Sequence, residues 1–147
     1  MTATARDLLG MKNSAVVYTC SPEATVADAC RVLRERRVGC LVVARGGAVQ
    51  GLFTERDVVT RVVAAGLDAG VTRVREVMTR DVEVAPLELP VEAVEAVLRR
   101  RRVRHLPVVG ERGLLGVVSL GDLARFHALR ERAARGAALE VAGSAAH

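Results

Sequence analysis

The chain carries one pattern twice. Val38 to Asp57, VGCLVVARGGAVQGLFTERD, returns as Val103 to Asp122, VRHLPVVGERGLLGVVSLGD, so Gly51, Thr54 and Asp57 recur as Gly116, Ser119 and Asp122, each pair 65 residues apart. A unit of about 60 residues buries little core alone, and two related copies can cover each other's apolar faces about a pseudo-two-fold axis. Any site built by one copy is then expected twice.

Each copy reads as strand, helix, strand, strand, helix, an α/β fold of the α+β kind. In the first copy, β-rich Val17-Tyr18-Thr19-Cys20 stops at the turn Ser21-Pro22. Val26, Ala29, Cys30 and Leu33 recur at helical spacing, with the arginines between them turned mostly to water. Strands at Cys40 to Val43 and Ala48 to Phe53 flank the Arg45-Gly46-Gly47 turn. A closing helix is expected from Glu55 to Ala65, burying Val58, Val59, Val62 and Val63. The second copy supplies strand Val82-Glu83-Val84, a helix lined by Val91, Val94 and Leu98, strands His105 to Val109 and Leu114 to Ser119, and a helix from about Leu123.

Arg6-Asp7-Leu8-Leu9 resembles Arg75-Glu76-Val77-Met78, so each copy opens with a short lead-in segment. The expected division is a first unit at 5–66, a linker at 67–72, a second unit at 73–128 and a tail at 129–147. The tail is rich in Ala, Arg and Gly and reads as a solvent-facing helix that frays, or as disorder.

A chain of 147 residues that is 50% hydrophobic and 27% charged fits one globular domain. No apolar run nears the roughly 20 residues that cross a bilayer, and Arg6 and Asp7 stand where a secretory signal needs an apolar run. A cytoplasmic protein without membrane attachment is expected. Cys20, Cys30 and Cys40 form no CxxC pair, which speaks against a disulfide framework or zinc site. Buried thiols are the plain reading, a Cys20–Cys40 redox switch the weaker one. The net charge of +5 is almost wholly arginine, Lys12 being the single lysine. Only Tyr18, Phe53 and Phe126 are available to stack on bases, so a phosphate-bearing small molecule accounts for the charge as well as a nucleic acid does.

Chemistry concentrates where Gly51-Leu52-Phe53-Thr54-Glu55-Arg56-Asp57 and Gly116-Val117-Val118-Ser119-Leu120-Gly121-Asp122 close each strand pair. A hydroxyl residue followed three later by a carboxylate is a helix capping box. The same geometry suits a ligand: a carboxylate at a strand's carboxyl end can accept both hydroxyls of a ribose, beside a helix N-terminus fit for phosphate. Recurrence in both copies, just after a glycine that lets something approach the backbone, favours the ligand. His105, Ser119 and Asp122 do not make a hydrolase triad, because no GxSxG elbow exists and the first copy has Cys40 where His105 would be needed. His127 and His147 lie too near the tail to point to a metal.

The element order, the Gly51 to Asp57 and Gly116 to Asp122 motifs, the His105-Leu106-Pro107-Val108-Val109 segment and the Val77-Met78-Thr79 lead-in together resemble a tandem pair of CBS domains, over about residues 5 to 128. That resemblance implies two pseudo-symmetric repeats packed sheet to sheet, forming a regulatory, non-catalytic module. It further implies an adenosine-containing ligand (AMP, ADP, ATP or S-adenosylmethionine) in clefts between the repeats, no required cofactor, a homodimer, and a downstream effector of unstated identity. Carried over by position, Thr54 with Asp57 and Ser119 with Asp122 hold ribose. Adenine is enclosed by the first strands, including Tyr18, Cys20, Val82 and Val84, and by Cys40, Leu41 and Val42 or His105, Leu106 and Pro107.

Arg99 to Arg102, followed by Arg104, is the densest charge in the chain and reads first as a solvated helix end. Phosphate contact by one or two of these, Arg104 among them, or by Arg56, Arg80 or Arg125, is the sharper reading. Two rivals stand beside the sensor: an interaction module whose clefts are empty and whose Ser, Thr and Asp are only caps, and, more weakly, nucleic-acid binding through Arg99 to Arg104.

Overall fold

A computed structural model describes residues 2–12 and 17–145 of the chain, with side chains to residue 139. The last two positions of the expected tail, Ala146 and His147, lie outside the described residues.

The first repeat begins with helix α1, Ala5–Gly10, and strand β1, Thr19–Cys20. Helix α2, Val26–Arg36, starts where the Thr25 hydroxyl accepts the Asp28 N–H and buries Val26, Ala29 and Leu33. Its last turn ends on Arg37 in the left-handed region at φ 54°. Strands β2, Cys40–Arg45, and β3, Ala48–Thr54, pair antiparallel around Gly46 and Gly47, both at positive φ, where a Cβ would strain the turn. Helix α3, Glu55–Asp57, follows directly.

After helix α4, Val74–Val77, the second repeat repeats these choices. Helix α5, Val91–Arg101, buries Val91, Val94 and Leu98 and also ends on a left-handed arginine, Arg102 at φ 54°. Strands β4, His105–Gly110, and β5, Gly113–Ser119, carry a bulge at Val108/Val109, at the repeat position of the Val43/Ala44 bulge in the β2–β3 pair. Helix α6 runs unbroken from Leu120 to Ala145 and is exposed from His127 to Leu139.

Two expectations change. Val82 to Val84 forms no ladder; Ala85 makes the parallel bridge instead, to Val108, as Cys20 does to Val43. The pairing is therefore conserved between repeats, one residue beyond the apolar pair that marked it. Beyond α3 the chain winds as a π-helix, Val58–Val63, with Ala64 N–H reaching back five residues to Val59 O at 2.9 Å. That wider turn leaves only Val62 of the four valines buried, while Val59 and Val63 stand 61% and 70% exposed. A valine stripe of α-helical period does not stay on one face through this wider winding.

The lead-in segments trade places. Ala5 and Leu8 of α1 sit in the core of the second repeat, with Val91, Leu98, Leu106, Val118 and Phe126. Val74, Val77 and Met78 of α4 sit in the core of the first, with Val26, Leu41, Phe53 and Val62. Backbone hydrogen bonds tie each exchange: Ala5 N–H to Leu89 O at 2.8 Å, and Val74 N–H to Ala24 O at 2.8 Å. Each repeat thus completes its apolar core with a helix from the other side of the chain.

Candidate functional site

The exchange sets the site, because the lead-in segments cross the strands that end in the repeated motif. At Gly51 a Cβ would lie 2.6 Å from Thr79 O, and at Gly116 it would lie 2.6 Å from the end of Leu9. What approaches these glycines is therefore a crossing segment of the chain, not a ligand. Leu52 and Thr79 exchange backbone hydrogen bonds of 3.0 and 2.8 Å across this crossing.

Both motifs form capping boxes. Asp57 Oδ2 accepts from the Thr54 N–H at 3.0 Å and the Thr54 hydroxyl at 3.1 Å, while the Asp57 N–H donates to Thr54 Oγ1. The Thr79 hydroxyl donates to Asp57 Oδ1 at 3.0 Å, and Arg61 Nε lies 3.7 Å away. Only 4% of Asp57 is exposed, which a carboxylate tolerates because this many donors meet it. In the second motif Asp122 Oδ2 accepts from the Ser119 N–H at 2.8 Å, and the Asp122 N–H donates to Ser119 Oγ. Its further partner is Lys12, whose Nζ lies 2.9 Å from Oδ2 and also donates to Val117 O.

The first cleft has a volume of about 480 Å³. Thr54, Asp57, Thr60, Arg61 and Thr79 face Arg101, Arg102, Arg104 and His105 across it, with Arg56 at the start of α3. A hollow of about 290 Å³ shares Leu52, Thr79, Arg101 and His105 with it and adds Val82, Val97 and Leu106, a lining apolar enough for a flat ring. The second cleft, about 260 Å³, is lined by Leu9, Lys12, Val17, Tyr18, Cys40, His105, Val117 and Ser119. His105 therefore faces both clefts.

Electrostatics separate the two. The first is ringed by five guanidinium groups. In the second, burial pushes the Cys40 thiol up to about 12, Asp57 and Cys20 adding to the effect, so Cys40 is a poor nucleophile. Burial likewise raises Cys20 to about 11 and shifts Cys30 upward. His105 is held below its ordinary 6.5, first by burial and then by Lys12.

Among the expected site residues, Thr54, Asp57, Arg56, Arg104 and His105 come together at the first cleft, with Val82, Arg80 and Leu106 in the adjoining hollow. Ser119, Tyr18 and Cys40 meet at the second, where Asp122 stands behind Lys12. Leu41, Val42 and Pro107 are buried in the sheets, Cys20 packs against the first core, and Val84 is exposed; these five line none of the three cavities. Arg125 is exposed on α6, away from all three. The arginine run divides: Arg99 pairs with Glu95 along α5, Arg100 and Arg101 both pair with Glu83 and Arg101 also donates to Asp81 O, while Arg101, Arg102 and Arg104 line the first cleft. Thr79, Arg61 and Lys12 escaped the sequence reading. Thr79 and Lys12 belong to lead-in segments, whose crossing no spacing reveals, and Arg61 turns inward at the π-helix. Among the described residues no group of three metal-ligating side chains occurs.

The CBS-domain family model matches residues 5–64 and 74–128. The CBS domain-containing protein YhcV of Bacillus subtilis is 34% identical over 108 residues, covering 74% of this chain and 76% of YhcV. A protein with CBS domains from Burkholderia ambifaria superposes with a TM-score of 0.79 at 32% identity, over 84% of this chain and 92% of that one. The CBS domain pair of protein MJ0100, solved in complex with 5′-methylthioadenosine and S-adenosyl-L-methionine, shares the fold at a TM-score of 0.76 and 22% identity, over 88% of this chain and 99% of that one.

Proposed function

Because the chain belongs to the CBS-domain family, we propose that it is a regulatory module that binds an adenine nucleotide in its first cleft and passes the signal to a partner protein. The observation that carries this reading is the 480 Å³ cleft, where the Thr54, Asp57 and Thr79 wall stands opposite Arg101, Arg102 and Arg104. Adenine lies in the hollow between Leu52, Val82, Val97 and Leu106, its ribose hydroxyls reach Asp57, and its phosphates meet guanidinium groups suited to bidentate contact. This charge favours AMP, ADP or ATP over S-adenosylmethionine, which brings a cation into a basic cleft. The chemistry is binding, without turnover. Two copies associate through Val59, Val63 and Val71, all more than 60% exposed; a Val63→Glu chain that sediments like wild type would oppose this.

Isothermal titration with AMP, ATP and S-adenosylmethionine tests the cleft. ATP binding should weaken in Asp57→Asn by about 1 to 3 kcal/mol, roughly 5- to 150-fold, for loss of a charged acceptor. Arg102→Ala with Arg104→Ala should weaken ATP more than adenosine. Unchanged ATP affinity in Asp57→Asn would remove this site. The completeness of both capping boxes supports a second reading, an interaction module with empty clefts. On that reading Asp57→Ala with Asp122→Ala lowers the melting temperature and no nucleotide raises that of the wild type.

A further inference from the structure

The two motifs differ in what crosses them. In the first, the Thr79 N–H donates to Leu52 O at 2.8 Å and the Thr79 hydroxyl to Asp57 Oδ1 at 3.0 Å. The second has Val117 and Asp122 at the repeat positions of Leu52 and Asp57, and its lead-in has Gly10 where the first motif's has Thr79, so the hydroxyl is missing. Two residues on, Lys12 fills the place: its ammonium donates to Val117 O and lies 2.9 Å from Asp122 Oδ2. One cation thus does the work of a backbone N–H and a hydroxyl. It also neutralises the carboxylate that a ribose would use and occupies space at the lining of the smaller cleft.

We infer that Lys12, the only lysine of the chain, is a specificity determinant that closes the second cleft to nucleosides, so that each chain takes a single adenosine ligand, in the first cleft. A neutral diol at Asp122 must displace a charge-assisted contact at 2.9 Å and loses that exchange, whereas the cation beside Asp57, Arg61, stands at 3.7 Å, beyond hydrogen-bond reach. The inference rests on the first-cleft reading, yet its test separates the two.

Adenosine and AMP are titrated calorimetrically into wild type, Lys12→Met and Lys12→Gln, the last two removing the charge and shortening the side chain by one atom. The expected stoichiometry is one per chain for wild type, abolished by Asp57→Ala, and two per chain for either Lys12 variant. The added equivalent should vanish on Asp122→Asn and survive Asp57→Ala. A wild type that already binds two, a wild-type equivalent that depends on Asp122, or Lys12 variants that gain nothing would each overturn the inference. Should wild type bind none, the first-cleft reading fails alone, and a gained, Asp122-dependent equivalent in Lys12→Met still upholds the role of Lys12.

Discussion

At the scale of single residues, Gly51 and Gly116 hold the same repeat position and face different neighbours. A Cβ at Gly51 would meet a backbone oxygen, Thr79 O, at 2.6 Å, with Met78 Sδ at 3.0 Å. A Cβ at Gly116 would meet the end of the Leu9 side chain, which can rotate away. Gly51→Ala should therefore cost about 1 to 3 kcal/mol, the range of an overpacked site, and should disturb the Leu52 and Thr79 hydrogen bonds beneath the first cleft. Gly116→Ala should cost clearly less. Urea denaturation of both variants measures this, and equal losses would contradict the assigned crossing. The residue type was legible, since a glycine before each motif signals a close approach. Which atoms approach was not, because they lie 28 and 107 residues away along the chain.

Elements show where local reading holds and where it fails. The helices α2 and α5 and the β2–β3 and β4–β5 pairs stand where alternation, helical spacing and turn glycines put them, because those signals are written within one element. The π-helix after α3 and the bridge at Ala85 depend on neighbours. So does the exchange of α1 and α4, which makes α1 part of the second core although it opens the first repeat. Leu8 is fully buried there, beside Leu98, Leu106 and Phe126. Leu8→Ala should cost about 2 to 5 kcal/mol, and amide exchange should accelerate first in α5, β4 and β5 while β2 and β3 keep their protection. Loosening of β2 and β3 first would place α1 in the wrong core.

For the whole molecule, two clefts of unequal chemistry follow from a repeat whose halves diverged at a few positions: Cys40 against His105, and Thr79 against Gly10 with Lys12 beside it. The pairing of motifs was legible from the constant spacing; the inequality was only partly so, because Lys12 reaches Asp122 across the fold. His105 faces both clefts and links that inequality to pH. Burial is the main force lowering its proton affinity; Lys12 and Arg104 lower it further, and Asp122 and Glu55 oppose them. Its folded pKa thus lies below the ordinary 6.5. Above 6.5 both folded and unfolded chains carry neutral imidazole and there is no penalty. As pH falls through 6.5 the unfolded chain takes up the proton more readily, so stability drops until the folded pKa is reached. Carboxylates add their own acid dependence, so the informative quantity is the difference between wild type and His105→Gln. The variant should lose less stability than wild type between pH 7.5 and pH 5.5, about a pH unit to either side of the imidazole's ordinary value, in urea midpoints taken at each pH. Parallel pH profiles for the two proteins would show that His105 is not held neutral between the clefts.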